Sequence, residues 1–298
     1  MDFAKEIQAK TEAINELIEG FLPAEEKYPA KVIEAMNYSI RGGGKRIRPM
    51  LMQETAELFG GAGVAIEYFM AAIEMIHTYS LVHDDLPCMD DDEYRRGRKT
   101  THAVYGEAIA TLAGDALLNY AAETALGAFD SDCDKYLVGK AVRILFNKSG
   151  IYGMIGGQTA DIVSEGLKPE EITAELIEYI HLKKTAALIE ASMMVGGILA
   201  GADKVQINAL EKIGRNVGIA FQIQDDILDV TGNFEELGKP VGSDEKNHKV
   251  TYVSLHGLDK AKADVETLSK EATVLLHTME GDNPFLEQLL LSMIDRKK

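Results

Sequence analysis

Most of the chain places its apolar residues with the period of an α-helix. The clearest example runs from Val64 to Val82, where apolar side chains recur three or four positions apart. The same spacing predicts helices over Phe3–Ile18, Ala30–Ser39, Met50–Leu58, Thr101–Ala128, Cys133–Lys148, Ala174–Ile180, Leu182–Leu199, Val205–Thr231, Lys260–Met279 and Pro284–Asp295. Nearly all of the seven prolines fall at the edges of such segments, where a helix tolerates them.

The pattern contains no strand-like alternation bounded by hairpin turns, so the predicted class is all-α, a bundle of about ten or more helices. No linker, low-complexity segment or fixed-period repeat interrupts it, which predicts one domain over residues 1–298. The most apolar stretch, Ala186 to Ala202, is broken by Glu190 and is too short for a membrane span.

Composition narrows the function classes. The formal net charge of −17 argues against nucleic-acid binding, which needs a cationic surface. The two cysteines, Cys88 and Cys133, lie in no metal or redox spacing, which favours a reducing, cytoplasmic setting. The charged N-terminus lacks the apolar core of a signal peptide.

One acidic cluster lies in an otherwise apolar predicted helix. Asp225 and Asp229 are four residues apart and share a helical face, with Asp226 one step round. Bare carboxylates are costly in such a setting, and hard cations such as Mg²⁺ prefer oxygen ligands. The alternative is a solvated acidic helix end.

A second acidic cluster precedes a run of cations. Pro87 separates Asp84 from Asp90, so we expect the helix to end near Asp84 and a short loop to bring Asp90 back beside it. Arg95-Arg96-Gly97-Arg98-Lys99 follows closely. Acid followed by base suits a diphosphate, with metal on one part of the polyanion and guanidinium groups on the rest. The alternative is a salt-bridged surface loop.

A third element combines glycines and cations in Arg41-Gly42-Gly43-Gly44-Lys45-Arg46-Ile47-Arg48-Pro49. Backbone amides, a helix N-terminus and basic side chains together form an anion site. It is not a Walker A loop, because Arg46 stands where that motif needs Ser or Thr.

A competing interpretation is a ferritin-like di-iron centre. Glu74-x-x-His77 and Glu178-x-x-His181 both match the Glu-x-x-His pattern of such bundles. Glu245-x-x-His248 also matches but lies in a polar stretch, which indicates that the pattern readily occurs by chance. A di-iron site would also leave the aspartate clusters and the cations unexplained.

Taken together, the motifs resemble the short-chain trans-prenyl diphosphate synthases, the family of farnesyl and geranylgeranyl diphosphate synthases. The resemblance runs in order from Tyr38 to the C-terminus. Its motifs are Gly-Gly-Lys-Arg-Ile-Arg-Pro (43–49), the aspartate-rich segment with Arg-Arg-Gly (84–97), Gly-Asp-Ala-Leu-Leu (114–118), Gly-Gln-Thr-Ala-Asp (157–161), Lys-Thr (184–185) and Phe-Gln-Ile-Gln-Asp-Asp-Ile-Leu-Asp (221–229). None is specific alone, but the set is.

The resemblance implies a role for each matching residue. Asp84, Asp90 and Asp225 would be Mg²⁺ ligands, with Asp85, Asp226 and Asp229 beside them. The isopentenyl diphosphate pocket would comprise Lys45, Arg48, His77 and Arg96. The allylic diphosphate would be held by Arg95, Lys184, Thr185, Gln222 and Lys239, with Lys249 as a further diphosphate contact, while Gln158 and Asp161 would line the cavity. Three Mg²⁺ are implied with substrate bound, with Mn²⁺ as an alternative metal.

The implied reaction is a head-to-tail condensation of an allylic diphosphate with isopentenyl diphosphate, in a deep central cavity of a homodimer. In this family, bulk just before the first aspartate motif limits product length, and here Tyr79 and Ser80 take that place. Tyr79 therefore predicts farnesyl diphosphate, with geranylgeranyl or geranyl diphosphate as alternatives. A non-catalytic partner subunit is a further alternative, disfavoured because both aspartate motifs are intact.

Overall fold

The computed structural model describes residues 2–24, 26–232 and 250–294, and these form two compact units. The first unit comprises the described residues within 1–53 and 62–142, and the second comprises those within 54–61 and 143–298. The predicted single domain over residues 1–298 stays a prediction.

The first unit contains long helices and one small hairpin. Its elements are α1 (Phe3–Gly20), α2 (Ala30–Ile40), the start of α3 (Ile47–Leu58), α4 (Ala65–Asp84), β1 (Tyr94–Arg95), β2 (Arg98–Lys99), α5 (Thr101–Tyr105), α6 (Glu107–Gly127), a 3₁₀ turn (Ala128–Asp130) and the start of α7 (Lys135–Ser149). The core of this unit lies where α4 packs against α6, whose buried side is built mainly of small residues and so allows close approach.

The second unit continues the helical pattern. It holds the ends of α3 and α7, then α8 (Met154–Glu165), a 3₁₀ turn (Pro169–Glu171), α9 (Ala174–Ile180), a π-helical segment (His181–Ala186), α10 (Ala187–Leu199), α11 (Lys204–Thr231), α12 (Tyr252–His256), α13 (Leu258–Leu276) and α14 (Pro284–Ile294). Every residue of α10 is buried, as expected for the most apolar segment. A capping box starts α11, where the Asp203 carboxylate accepts from the N–H of Gln206 at 2.9 Å.

The all-α prediction is confirmed, with three local differences. The predicted helix over Thr101–Ala128 is interrupted at Gly106, whose φ of +83° is a left-handed conformation that glycine adopts without strain. Helix α8 was missed, because its Gly156-Gly157 pair suggested a connection. The two-residue strands β1 and β2 pair antiparallel through Tyr94–Lys99 and Arg95–Arg98, a hairpin too short for a periodic signal.

Within the described ranges, no helix has both the length and the apolar character needed to cross a bilayer.

Candidate active site

The glycine-rich segment of the first unit leads directly into α3, and we call residues 43–48 the anion loop. Arg46 adopts a left-handed backbone conformation with φ of +48° and turns its side chain into the protein. There its guanidinium donates to the Asn15 side chain at 2.8 Å, to the Ile40 carbonyl at 2.6 Å and to the Glu74 carboxylate at 2.5 Å. The loop is therefore held from beneath, with exposed Lys45 and half-buried Arg48 on either side.

Arg48 and Arg96 form a cationic cluster around His77 at this loop. Burial lowers the pKa of Arg48, and the nearby charge of Arg96 lowers it further. Burial also lowers the pKa of His77 well below its usual value, reinforced by Arg48 and Arg96. Arg96 donates to the Gly43 carbonyl, which ties it to the loop. Such crowding of like charges is unfavourable unless an anion joins them.

The first aspartate motif has the predicted geometry. Helix α4 ends at Asp84, and the backbone N–H of Asp90 donates to the Asp84 carbonyl at 2.9 Å, which brings the two residues together. Asp85 instead points into the protein, where it accepts from Arg95 Nε at 2.7 Å. Burial raises the pKa of Asp85, and Arg95 opposes that rise. The structure thus gives Asp85 the role of anchoring Arg95.

The hairpin explains how Arg95 and Arg96 reach this region. Arg95 ends β1, and the turn through Arg96 and Gly97 has positive φ at both residues, +53° and +75°. Burial alone would lower the pKa of Arg95, but its hydrogen bond to Asp85 and the charges of Asp85 and Asp92 raise it. Arg95 is therefore firmly charged, next to the acidic motif.

Tyr79 and Ser80 lie on the last turns of α4. The Tyr79 ring is buried against the His83 ring, with centroids 5.9 Å apart in an edge-on arrangement. Burial, reinforced by the charge of Asp84, raises the pKa of Tyr79 to about 12. Among the described residues its hydroxyl has no hydrogen-bond partner. The Ser80 hydroxyl is directed back to its own helix, donating to the His77 carbonyl at 2.8 Å.

In the second unit, the aspartates of α11 lie in the regular helical arrangement that their spacing predicts. Asp225 is exposed and Asp229 half-buried, whereas Asp226 is buried. The carboxylate of Asp226 accepts from the backbone N–H of Tyr252, at the start of α12, at 2.8 Å. His181 Nε2 lies 3.9 Å from the same carboxylate. Asp226 is therefore fixed by its neighbours, and Asp225 is the member of the pair that faces solvent.

The π-helical segment carries Lys184 and Thr185. Lys184 pairs with Asp161 of α8 at 2.6 Å, and the Thr185 hydroxyl donates to the Gln222 side chain of α11 at 2.7 Å. A side chain at Gly157 would collide with the Lys184 backbone, so only glycine allows α8 to approach this closely. Half-buried Gln158 follows that contact. The extra residue of a π turn re-aims side chains and is frequent at functional sites.

The structure thus places ten predicted residues in the first unit and eight in the second. The first set is Lys45, Arg48, His77, Tyr79, Ser80, Asp84, Asp85, Asp90, Arg95 and Arg96; the second is Gln158, Asp161, Lys184, Thr185, Gln222, Asp225, Asp226 and Asp229. Lys239 and Lys249 lie outside the described residues. In the described ranges no three His, Cys, Asp or Glu side chains are arranged to hold a metal by themselves. Mg²⁺ commonly takes only one or two carboxylates, with water and phosphate completing its shell.

Three residues that contribute to these two sets of polar residues were missed or misinterpreted from the sequence. Arg46 was assigned no role, although it lies between two predicted anion ligands. Glu74 was weighed only as an iron ligand, whereas its carboxylate pairs with Arg46. Tyr252, which fixes Asp226 through its backbone N–H, carries no sequence signal because a backbone donor is independent of residue type. The charge of Glu74 inside an apolar helix was the one available clue.

The di-iron interpretation fails on these contacts. Glu74 is committed to Arg46, and His77 lies among arginines whose charges repel a metal cation. Glu178 is exposed to solvent. Glu245 and His248 lie outside the described residues.

Comparison with known proteins gives one consistent result. The polyprenyl synthetase family model matches residues 29–280. The chain is 45% identical to the heterodimeric geranylgeranyl pyrophosphate synthase large subunit 1, chloroplastic, of Arabidopsis thaliana, over 94% of this chain and 76% of that protein.

Two solved structures show the same fold. Geranylgeranyl pyrophosphate synthetase from Pyrococcus horikoshii superposes with a TM-score of 0.88 at 33% identity, covering 99% of this chain and 98% of that one. Geranyltransferase from Helicobacter pylori, solved in complex with magnesium and isoprenyl diphosphate, gives a TM-score of 0.81 at 31% identity, covering 99% and 97%. The all-α architecture is thus that of the isoprenoid synthases.

Proposed function

The chain belongs to the polyprenyl synthetase family, and on that premise we propose that this trans-prenyltransferase makes geranylgeranyl diphosphate. In the head-to-tail reaction, the allylic C–O bond breaks and diphosphate leaves with the electron pair. The isopentenyl double bond then attacks the allylic cation, and the departing diphosphate takes the proton that is lost. The negative charge that develops on the leaving diphosphate is stabilised best by preorganised cations in a site that excludes water.

The observation that carries the proposal is the cationic cluster at the anion loop. Arg48 is half-buried and is influenced by the charge of Arg96, and its buried Nε atom has no hydrogen-bond partner among the described residues. A diphosphate supplies both the missing acceptor and the missing negative charge. His77, kept neutral by burial and by these arginines, can donate a hydrogen bond without adding to the repulsion. We therefore assign isopentenyl diphosphate to Lys45, Arg48, His77 and Arg96.

The allylic diphosphate is assigned to cations near the carboxylates. Arg95 is held by Asp85 at the first motif, while Lys184 and Thr185 are presented by the π turn of the second unit. Gln222 bonds to Thr185 and completes that polar group. Lys239 and Lys249 remain expected contacts outside the described residues.

The carboxylates fit Mg²⁺ by the chemistry of their donors. Asp84 and Asp90 are joined through a backbone hydrogen bond, and Asp225 is exposed on α11. These hard oxygen ligands suit Mg²⁺, with Mn²⁺ as an alternative. When bound, the metal would neutralise charge on the leaving diphosphate. Asp85 and Asp226 would orient the motifs from behind, since both carboxylates already accept hydrogen bonds from the protein.

The similarities favour the C20 product over the C15 product that Tyr79 predicted. Both the Arabidopsis relative and the Pyrococcus structure carry geranylgeranyl names. Farnesyl diphosphate is the second candidate, and the observation in its favour is that the Tyr79 ring is buried one turn before Asp84. In either case we expect the ring to limit the length of the growing chain.

The test is to incubate the enzyme with labelled isopentenyl diphosphate, Mg²⁺ and dimethylallyl, geranyl or farnesyl diphosphate, and to size the products. The proposal expects a C20 end product and use of the farnesyl primer. An end product of C15 with no use of that primer would establish the second candidate instead. No elongation with any primer would overturn the proposed function.

Tyr79→Ala tests the chain-length role, because a shorter side chain should lengthen the product by at least one isoprene unit. Tyr79→Phe is the matched control: it keeps the ring and should leave product length unchanged. Removing a buried hydroxyl that lacks a partner should also leave the free energy of unfolding unchanged or raise it by about 1 kcal/mol. Identical product lengths for Tyr79→Ala and wild type would show that Tyr79 does not limit the chain.

A homodimer and a cytoplasmic setting both remain expectations. The Arabidopsis relative is named as a chloroplastic, heterodimeric large subunit, which describes that protein. Light scattering of the purified chain measures its own oligomeric state.

A further inference from the structure

We propose that Glu74 is a positioning residue for the isopentenyl diphosphate site, acting through Arg46. The inference rests on the proposed function, and it concerns the side chain of Arg46, within the anion loop, and the Glu74 carboxylate that pairs with it. The buried Glu74–Arg46 pair would set the conformation of residues 43–48 and so position Lys45 and Arg48 for diphosphate binding.

The Glu74–Arg46 pair is deeply buried. Arg46 is 5% exposed and Glu74 is 2% exposed, and their closest charged atoms are 2.5 Å apart. Two charges removed from water to this extent are costly unless the pairing is complete. Arg46 meets that condition with three acceptors, from Asn15 of α1, Ile40 of α2 and Glu74 of α4. The loop is thereby fastened to three separate helices through one guanidinium.

The backbone of Arg46 adopts an unusual conformation. Its φ of +48° lies in the left-handed region, which a residue with a long side chain rarely adopts. Such a conformation persists only where the surroundings enforce it. The three hydrogen bonds of the side chain supply that enforcement, because they hold the Cα–Cβ bond pointing inward. Without them the residue would relax toward negative φ, and the residues on either side would shift with it.

The charge of Glu74 also acts on the neighbouring arginines Arg48 and Arg96. The negative charge of Glu74 opposes the lowering of the pKa of both Arg48 and Arg96. Among the described residues the second oxygen of Glu74, Oε2, is buried with no hydrogen-bond partner. This oxygen atom therefore influences the cluster through its charge and not through a hydrogen bond. Glu74 reduces the repulsion among three arginines in the absence of substrate, yet does not occupy the donors that a diphosphate needs.

The test is Glu74→Gln, which keeps the shape of the side chain but removes its charge. We expect KM for isopentenyl diphosphate to rise about tenfold, because a charged hydrogen bond to Arg46 becomes a neutral one. The KM for the allylic primer should change less than twofold. Calorimetric titration with isopentenyl diphosphate should show a matching loss of affinity without any turnover.

Glu190→Gln is a matched control in the second unit. Glu190 is also 2% exposed, and it pairs with Lys148 and with Arg215 at 3.0 Å. This variant should lose stability as Glu74→Gln does, but retain the wild-type KM for isopentenyl diphosphate. An equal rise of that KM in both variants would reduce the effect to general destabilisation and overturn the inference.

A double variant separates positioning from stability. The double variant Arg46→Leu with Glu74→Leu replaces both partners with apolar residues and so removes the need to bury charge. It should restore most of the unfolding temperature that Glu74→Gln loses. The inference expects the KM for isopentenyl diphosphate to stay at least tenfold raised, because the loop has lost its anchor. A KM that recovers together with stability would contradict it.

Failure of the inference is distinguishable from failure of the proposed function. A wild-type protein that binds and elongates isopentenyl diphosphate, with Glu74→Gln binding it equally well, overturns only the positioning role. A wild-type protein that neither binds nor elongates it overturns the proposed function and the positioning role together.

Discussion

The two groups of polar residues differ in how much of their bonding capacity the protein itself uses. At the anion loop of the first unit, the charges of Arg48 and Arg96 help to lower the pKa of half-buried His77, and Arg48 Nε lacks a partner among the described residues. In the second unit, Lys184 is paired with Asp161 and Thr185 with Gln222. The first group is short of negative charge, whereas the second is internally paired.

The difference has a consequence for binding. An anion that enters the cluster at the anion loop relieves repulsion and gains charged hydrogen bonds without displacing a protein acceptor. An anion that binds Lys184 must compete with the Asp161 carboxylate, so part of the gain is lost. The cluster at the anion loop can therefore accept an anion without breaking a pair within the protein, whereas Lys184 must first leave Asp161.

The largest expected effect concerns the acidic half of the first-unit site. Asp84→Asn removes one proposed metal ligand, and turnover should fall about 10³-fold because charge on the leaving diphosphate is no longer neutralised. Initial rates over a range of Mg²⁺ concentrations measure this. Asp91→Asn is the control: it makes the same charge change in the same loop, at a φ of +52° that asparagine tolerates, and should retain wild-type rates. Equal losses in both variants would indicate a general effect of loop charge.

Effects of intermediate size are expected at the residues proposed to bind the two diphosphates, and they allow a direct comparison. Arg48→Gln should raise KM for isopentenyl diphosphate about 100-fold, since lost charged hydrogen bonds cost about 1.5–3 kcal/mol. Lys184→Gln should raise KM for the allylic primer by only about tenfold, because the wild-type lysine must first leave Asp161. Steady-state kinetics with each substrate varied in turn provide both values. A larger effect for Lys184→Gln would reverse the comparison.

The smallest effect is a pH dependence of stability from His77. The unfolded chain has a histidine pKa of about 6.5, whereas burial and the arginines lower it well below that in the folded protein. The unfolded state then binds a proton that the folded state does not. The free energy of unfolding should therefore be unaffected by His77 above about pH 6.5 and fall as pH drops below it, by at most about 1.4 kcal/mol per pH unit.

His77→Gln should remove that part of the slope. Urea unfolding at several pH values between about 5 and 7.5 measures it for both proteins. Parallel curves for wild type and variant would mean that the cluster does not depress the pKa of His77.

Much of the site could be predicted because its signals are local. The helical period of α4 and Pro87 together predicted the end of the helix at Asp84 and the return of Asp90, and the structure confirms both. The shared face of Asp225 and Asp229 likewise follows from the four-residue spacing. The π turn at His181–Ala186 could not be read, because its sequence is that of an ordinary helix.

The sequence by itself determined the fold class, the family and the residue types of the site, since helical periodicity and motif order are properties of the chain. Tertiary structure alone decided which charges are satisfied within the protein. Glu74 pairs with Arg46 across 28 positions, Lys184 with Asp161 across 23, and Asp226 accepts from Tyr252 across 26. Coulomb energies and desolvation depend on distance and burial, which no spacing along the chain specifies.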